Sequence, residues 1–182
     1  MAEIICAGSG GQGVLTAGHV LINIGLLDGK NVCWSPAYGS EMRGGEAHCN
    51  VIITEEELDG PAVAFPDYLL VMTQKALDKF KANVKKDGII VADTTIIPKD
   101  AVYPEGVKAF GVDATQASAD LKHPRAANLV MVGALIRASG CFSKELAIQG
   151  LNKYFDDKGK NSPKNVECFL YGYEHVIKLS EG

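Results

Sequence analysis

The stretch that decides the fold is Glu3-Ile4-Ile5-Cys6-Ala7-Gly8-Ser9-Gly10-Gly11-Gln12-Gly13. Glu3 to Ala7 is a short apolar run that stops at glycines, the pattern of a buried strand feeding a turn. Beyond it, Val14, Ala17, Leu21 and Ile24 recur at helical spacing, and Leu15, Val20 and Leu27 widen that face. This predicts a helix from about Gln12 to Leu26, ending before Asp28-Gly29. Gly8, Gly10 and Gly13 satisfy G-x-G-x-x-G between a strand and a helix. Such glycines permit a tight turn and close backbone approach to a ligand, and the helix start offers unpaired N–H groups to an anion.

The dinucleotide-binding form of this motif also needs a carboxylate at the end of the second strand. Here that strand, read as Asn31 to Trp34 and stopped by Pro36, ends Cys33-Trp34-Ser35-Pro36. The missing acid argues against NAD or FAD. Two readings stay open for Gly8, Gly10, Gly11, Gln12 and Gly13: contact with the phosphates of another ligand, or a turn that serves a protein interface.

Further along, His48 to Thr54 alternates as a third strand, and Tyr68 to Met72 is a continuous apolar run. A helix over Gln74 to Asn83 follows, then strands at Gly88 to Ala92 and Val107 to Val112. Doubly buried strands alternating with helices predict an α/β, Rossmann-like domain with a mostly parallel sheet. The last third reads as helical, over Asn128 to Ser139, from Ser143 to Tyr154, and from Ser162-Pro163 to about Lys178. Ser143 and Ser162 are the expected N-caps. Residues 1–182 are read as one domain, with no repeat or linker.

Composition narrows the function. The chain has 18 Lys+Arg, 22 Asp+Glu and a formal net charge of −4, against the basic face that non-specific nucleic-acid binding needs. No run approaches the ~20 apolar residues of a membrane span. The amino-terminal residues lack the basic start of a signal peptide, so the expected compartment is the reducing cytoplasm. Cys6, Cys33, Cys49, Cys141 and Cys168 are dispersed, without C-x-x-C or a Cys/His cluster, so no local motif holds zinc or an iron–sulfur cluster. No nucleophilic triad can be picked out. Asp93, after an apolar strand, is read as a turn cap or a ligand group; Asn128 as a helix cap or a ligand or subunit contact.

Tyr38-Gly39-Ser40-Glu41-Met42-Arg43-Gly44-Gly45-Glu46 lies between the second and third strands, where a loop can face Gly10 to Gly13. Arg43 is suited to pair a phosphate or carboxylate with two parallel bonds, or to pair internally with Glu41 or Glu46. This loop, GSGGQG, Asn128 with Met131 to Leu135, and Tyr171-Gly172-Tyr173-Glu174 together resemble the gamma subunit of 2-oxoacid:ferredoxin oxidoreductases. The resemblance runs from the first strand to about Glu174. It implies a part in a complex that converts a 2-oxoacid and coenzyme A to acyl-CoA and CO2, with two electrons passed to ferredoxin. In that family, thiamine diphosphate and the 4Fe–4S clusters sit on other subunits or domains, so this chain is expected to hold no cofactor alone.

The resemblance further implies alpha and beta subunits as partners, with a ferredoxin-like delta subunit as an additional candidate. It gives no catalytic residue, and a contact set of Gly8, Gly10, Gly11, Gln12, Gly13, Arg43, Gly44, Gly45 and Asn128, toward coenzyme A or a partner subunit. Closure over the active site is the other implied role. The competing reading is a free-standing Rossmann-like nucleotide-binding protein or reductase.

Overall fold

Apolar runs of strand length must bury both faces, and a computed structural model shows how they do so. It describes residues 1–38, 45–58 and 60–180. β1 (Ala2–Ser9) leads through the glycine loop into α1 (Val14–Leu27), then β2 (Asn31–Tyr38) and β3 (Glu46–Thr54). β4 (Tyr68–Val71), α2 (Gln74–Phe80), β5 (Ile89–Asp93), β6 (Lys108–Val112) and α3 (Ala114–Asp120) follow. The chain continues as α4 (Ala127–Ser139), α5 (Lys144–Asp157), α6 (Pro163–His175) and β7 (Ile177–Ser180).

The described strands form one seven-stranded sheet in the order β2-β3-β1-β4-β5-β6-β7. β1, β4, β5 and β6 pair in parallel, as the continuous apolar runs predict. The sheet as a whole is mixed, because β3 inserts antiparallel between β1 and β2, and β7 closes the far edge antiparallel to β6. Pro36 does not stop β2, which continues to Tyr38. β2 is an edge strand, where a missing backbone donor can face outward without breaking a ladder.

Side chains alternate between two cores. Ile4, Cys6, Cys49 and Val51 pack toward α1, α4, α5 and α6, whereas Ile5, Ala7, Leu69 and Ile90 face α2 and the loops beyond it. His48 and Cys49 accordingly point to opposite faces, with His48 against the Phe80 ring and Cys49 under α1. The expected caps form: Ser143 Oγ accepts from the Leu146 N–H at 3.2 Å, and Ser162 Oγ from Lys164 at 3.3 Å. α3 escapes the sequence reading because Ala-Thr-Gln-Ala-Ser-Ala-Asp carries almost no apolar period. The last helix ends at His175, short of Lys178, because residues 177–180 extend against β6.

α4 runs through the middle of the helical layer, with Leu129 to Ile136 buried without interruption. It crosses α6 at backbone contact. A methyl group on Gly172 would sit 1.8 Å from the Val130 carbonyl oxygen, and one on Gly133 would sit 2.0 Å from that of Phe169. No side-chain rotation relieves a clash with backbone. Gly172→Ala is therefore expected to cost about 3 kcal/mol or more of stability, in the upper range for overpacking. Urea denaturation reads this as a lowered midpoint at unchanged slope, and a loss below about 1 kcal/mol would show that the two helices are free to separate.

Candidate functional site

The glycine loop lies where the sheet changes sides. α1 leaves β1 toward one face, and α2 leaves β4 toward the other. In open α/β sheets ligands bind in the crevice outside the carboxyl ends of two such strands. Here Gln12 fills that crevice. Its Nε2 donates to the Met72 carbonyl at 3.2 Å, and its Oε1 accepts from the Ser9 N–H at 2.7 Å. Gly8 makes room for it, since a methyl group there would meet Gln12 Oε1 at 2.6 Å. β3 also separates β2 from β1, so the end of β2 cannot supply the ribose carboxylate of a dinucleotide site beside β1.

What the loop presents instead is the start of α1. Gly13 precedes the helix with a left-handed φ of 78°, and no side chain caps the first turn. A helix start left this way offers several N–H groups and a partial positive charge. It opens into a cavity of about 320 Å³ whose lining includes Gly10, Gly11, Gly13, Leu15, Thr16 and Glu46. The start of β3 forms the opposite wall, tied to the loop by the Gly10 N–H donating to the Gly45 carbonyl at 2.9 Å.

Asn128 acts on the same loop from behind. It is the second residue of α4 rather than its cap, since the helix opens at Ala127 after Ala126. Its Nδ2 donates to the Gly13 carbonyl at 3.0 Å, and its Oδ1 is buried without a hydrogen-bond partner among the described residues. The structure thus brings Gly8, Gly10, Gly11, Gln12, Gly13, Gly45 and Asn128 into one cluster. Arg43 and Gly44, with the rest of residues 39–44, lie outside the described residues.

Charge at the cavity comes from residues that the sequence did not single out. Lys75 and Lys79, one turn apart on α2, converge on Glu46 at 3.2 and 2.7 Å. Lys79 and then Lys75 hold the Glu46 carboxyl below its ordinary range. The two lysines thus hold the cavity's Glu46 from the α2 side, without themselves lining the cavity. Their spacing of four residues was the available signal, but only the fold places them beside Glu46.

Other candidates have structural occupations. Asp93 is fully buried and accepts from the Thr95 N–H at 3.0 Å and from the Thr115 N–H and hydroxyl, so it ties β5 to α3. The five cysteines are free thiols, with Cys6, Cys49 and Cys168 buried. Among the described residues, no group of three or more His, Cys, Asp or Glu side chains could hold a metal ion, and no helix is long and apolar enough to cross a membrane.

The chain is thus a Rossmann-related unit whose glycine loop presents an uncapped helix start beside a cavity, with Glu46 paired to two lysines. Comparison with known proteins makes this specific. The pyruvate ferredoxin/flavodoxin oxidoreductase family model matches residues 3–175, and the chain belongs to that family. It is 35% identical over 180 residues to the 2-oxoglutarate synthase subunit KorC of Methanocaldococcus jannaschii, covering 97% of this chain and 95% of that one. The gamma subunit of the keto/oxoacid ferredoxin oxidoreductase of Geobacter sulfurreducens superposes with a TM-score of 0.77 at 29% identity, over 96% and 97% of the two chains.

A 2-oxoglutarate:ferredoxin oxidoreductase from Magnetococcus marinus, solved with 2-oxoglutarate, coenzyme A and succinyl-CoA, shares the fold. Its TM-score is 0.78 at 23% identity, over 95% of this chain and 30% of that one. In another relative the matched stretch spans only 37% of a longer chain. The protein is thus a gamma subunit of a 2-oxoacid:ferredoxin oxidoreductase complex, and the mild acidity and dispersed cysteines read from its composition describe part of a larger enzyme.

The histidines report on the packing around this site. His19 stacks on Trp34 with ring centroids 4.0 Å apart, and burial, then Lys158, lower its pKa. His48 is likewise lowered by burial and then by Lys79. A group with a depressed folded-state pKa binds protons more readily when unfolded. The stability from both neutral rings is present above about pH 6.5 and is lost as pH falls through their folded values. Between about pH 7.5 and pH 5 the wild type should lose more unfolding free energy than the double variant His19→Gln/His48→Gln, measured by urea denaturation. Equal losses would assign the acid sensitivity to other groups.

Proposed function

We propose that the glycine-loop cavity handles the phosphates of coenzyme A within the complex, and that docking of this face helps to close the active site. The observation that carries this is the uncapped start of α1 opening into a cavity whose acid, Glu46, is held by Lys75 and Lys79. Gly10, Gly11, Gly13 and Gly45 form the ligand-facing backbone; Arg43 and Gly44, outside the described residues, belong to the same contact set on the family resemblance alone. Gly8, Gln12 and Asn128 hold that backbone in place, Gln12 from β4 and Asn128 from α4. The backbone donors at the start of α1 suit a diphosphate, and Val14, Leu15 and Ala47 give the cavity a largely apolar wall.

The overall reaction is oxidation of a 2-oxoacid with coenzyme A to acyl-CoA and CO2, two electrons passing to ferredoxin. Thiamine diphosphate and the 4Fe–4S clusters supply the carbon–carbon cleavage and the electron path from the alpha and beta subunits or an added ferredoxin-like subunit. No proton-transfer role is assigned to this chain. Its part is to orient coenzyme A and exclude water, which are positioning and gating effects. Its relatives are named for 2-oxoglutarate, ketoisovalerate and pyruvate, so the substrate class is a 2-oxoacid, and overall likeness leans to the first two.

Thr16 lies in the first turn of α1 at the cavity, so Thr16→Glu places a carboxylate where the diphosphate would sit. An acid in a first helical turn favours the helix by about 0.3–1 kcal/mol, so folding is not the cost. In the assembled complex, Thr16→Glu should raise the KM for coenzyme A about tenfold or more relative to Thr16→Gln, a difference of about 1.4 kcal/mol. Equal KM values for the two variants, with the complex intact on size exclusion, would remove the phosphate reading.

A further inference from the structure

A second cavity, of about 180 Å³, lies on the other side of the loop, with Gly11, Gln12, Ile96, Thr115 and Arg125 in its lining. Gly11 lines both cavities. It has a φ of 96°, and a methyl group there would find no heavy atom within 4 Å, so the backbone ridge between the cavities is open above. An extended ligand can lie across it.

Arg125 is exposed and, among the described residues, makes no hydrogen bond or ion pair. The acids around it are occupied. Asp93 holds Thr95 and Thr115, Asp113 accepts from the Tyr171 hydroxyl at 3.1 Å, and Asp120 accepts from Gln116 Nε2 at 2.9 Å. Across the loop Glu46 is held by two lysines. A guanidinium at a cavity without an internal counter-ion is a ready partner for an external anion, and its planar fork matches phosphate.

We propose that Arg125 reads the 3′-phosphate of coenzyme A while the diphosphate lies on the start of α1. The diphosphate hangs from C5′ and the 3′-phosphate from C3′ of one ribose, with C4′ between them, and the two cavities are adjacent through Gly11. Arg125 is then a specificity residue that separates coenzyme A from its dephospho form. The inference rests on the function proposed above, because it needs the diphosphate at α1.

The test uses the assembled complex, with KM measured for coenzyme A and for dephospho-coenzyme A. The wild type should favour coenzyme A by about tenfold or more, and in Arg125→Ala the ratio should fall to within about twofold of one, a loss of about 1 kcal/mol or more of discrimination by the tenfold-per-1.4 rule. Arg125→Lys, which keeps the charge but not the fork, should retain part of the preference. A wild type that does not discriminate, or an Arg125→Ala variant that keeps the full ratio, overturns the inference. So does dissociation of the Arg125→Ala complex on size exclusion, which would make Arg125 an interface ion-pair partner. If Thr16→Glu raises the KM for coenzyme A while Arg125→Ala leaves the ratio intact, only this inference fails. If Thr16→Glu has no effect, the phosphate reading itself fails.

Discussion

The Gln12 side chain is the constraint on which the site depends. It joins the loop after β1 to the end of β4, two neighbouring parallel strands whose following helices lie on opposite faces of the sheet. By filling the crevice between them it moves ligand access off the strand ends and onto the start of α1. The same two bonds keep the loop closed without a bound ligand. A partly buried amide that satisfies a backbone donor and a backbone acceptor together is costly to disturb, because displacing it breaks both bonds at once. Asn128 adds a second restraint from α4 on Gly13. The loop is therefore rigid through the two side chains that flank its glycines, and a preorganised loop loses little freedom when a ligand settles on it.

That arrangement bears on why strand, glycine loop and helix do not amount to a dinucleotide site. The motif fixes a turn and a helix start, and both are present. The remaining element, a carboxylate beside β1, depends on which strand lies next to β1. The alternating β3, paired from Ala2 with Ile53 to Ser9 with Glu46, takes that place. A missing acid in Cys33-Trp34-Ser35-Pro36 and an inserted antiparallel strand are two signs of one departure from the dinucleotide fold. The first was legible in the sequence. The second was not, because strand order is set by packing between distant segments.

Other elements divide along the same line. The buried parallel strands, the two serine caps and α1 carry strong local signals, and they stand where periodicity and cap chemistry put them. α3 and β7 do not. α3 is short and rich in alanine and polar residues, and it exists because Asp93 and the neighbouring helices receive it. β7 lies in a stretch with no apolar alternation strong enough to end a helix, and pairing with β6 decides its state. In the site, the glycines were legible because only certain backbone shapes require them. Lys75, Lys79 and Arg125 were not, since an exposed cation reads the same on any surface until the fold shows which acids are already engaged.

Among the described residues, the groups best suited to chemistry are engaged within the fold. Its buried acids are satisfied by backbone and hydroxyl donors, its three most buried thiols lie inside the core, and its two partly buried histidines are held toward neutrality by packing. What the described part of the loop presents is the uncapped start of α1, with Arg125 in the lining of the cavity on its other side. Under the function proposed above, such a surface would orient coenzyme A by its phosphates and help to exclude water, effects that need no bond-making group of its own.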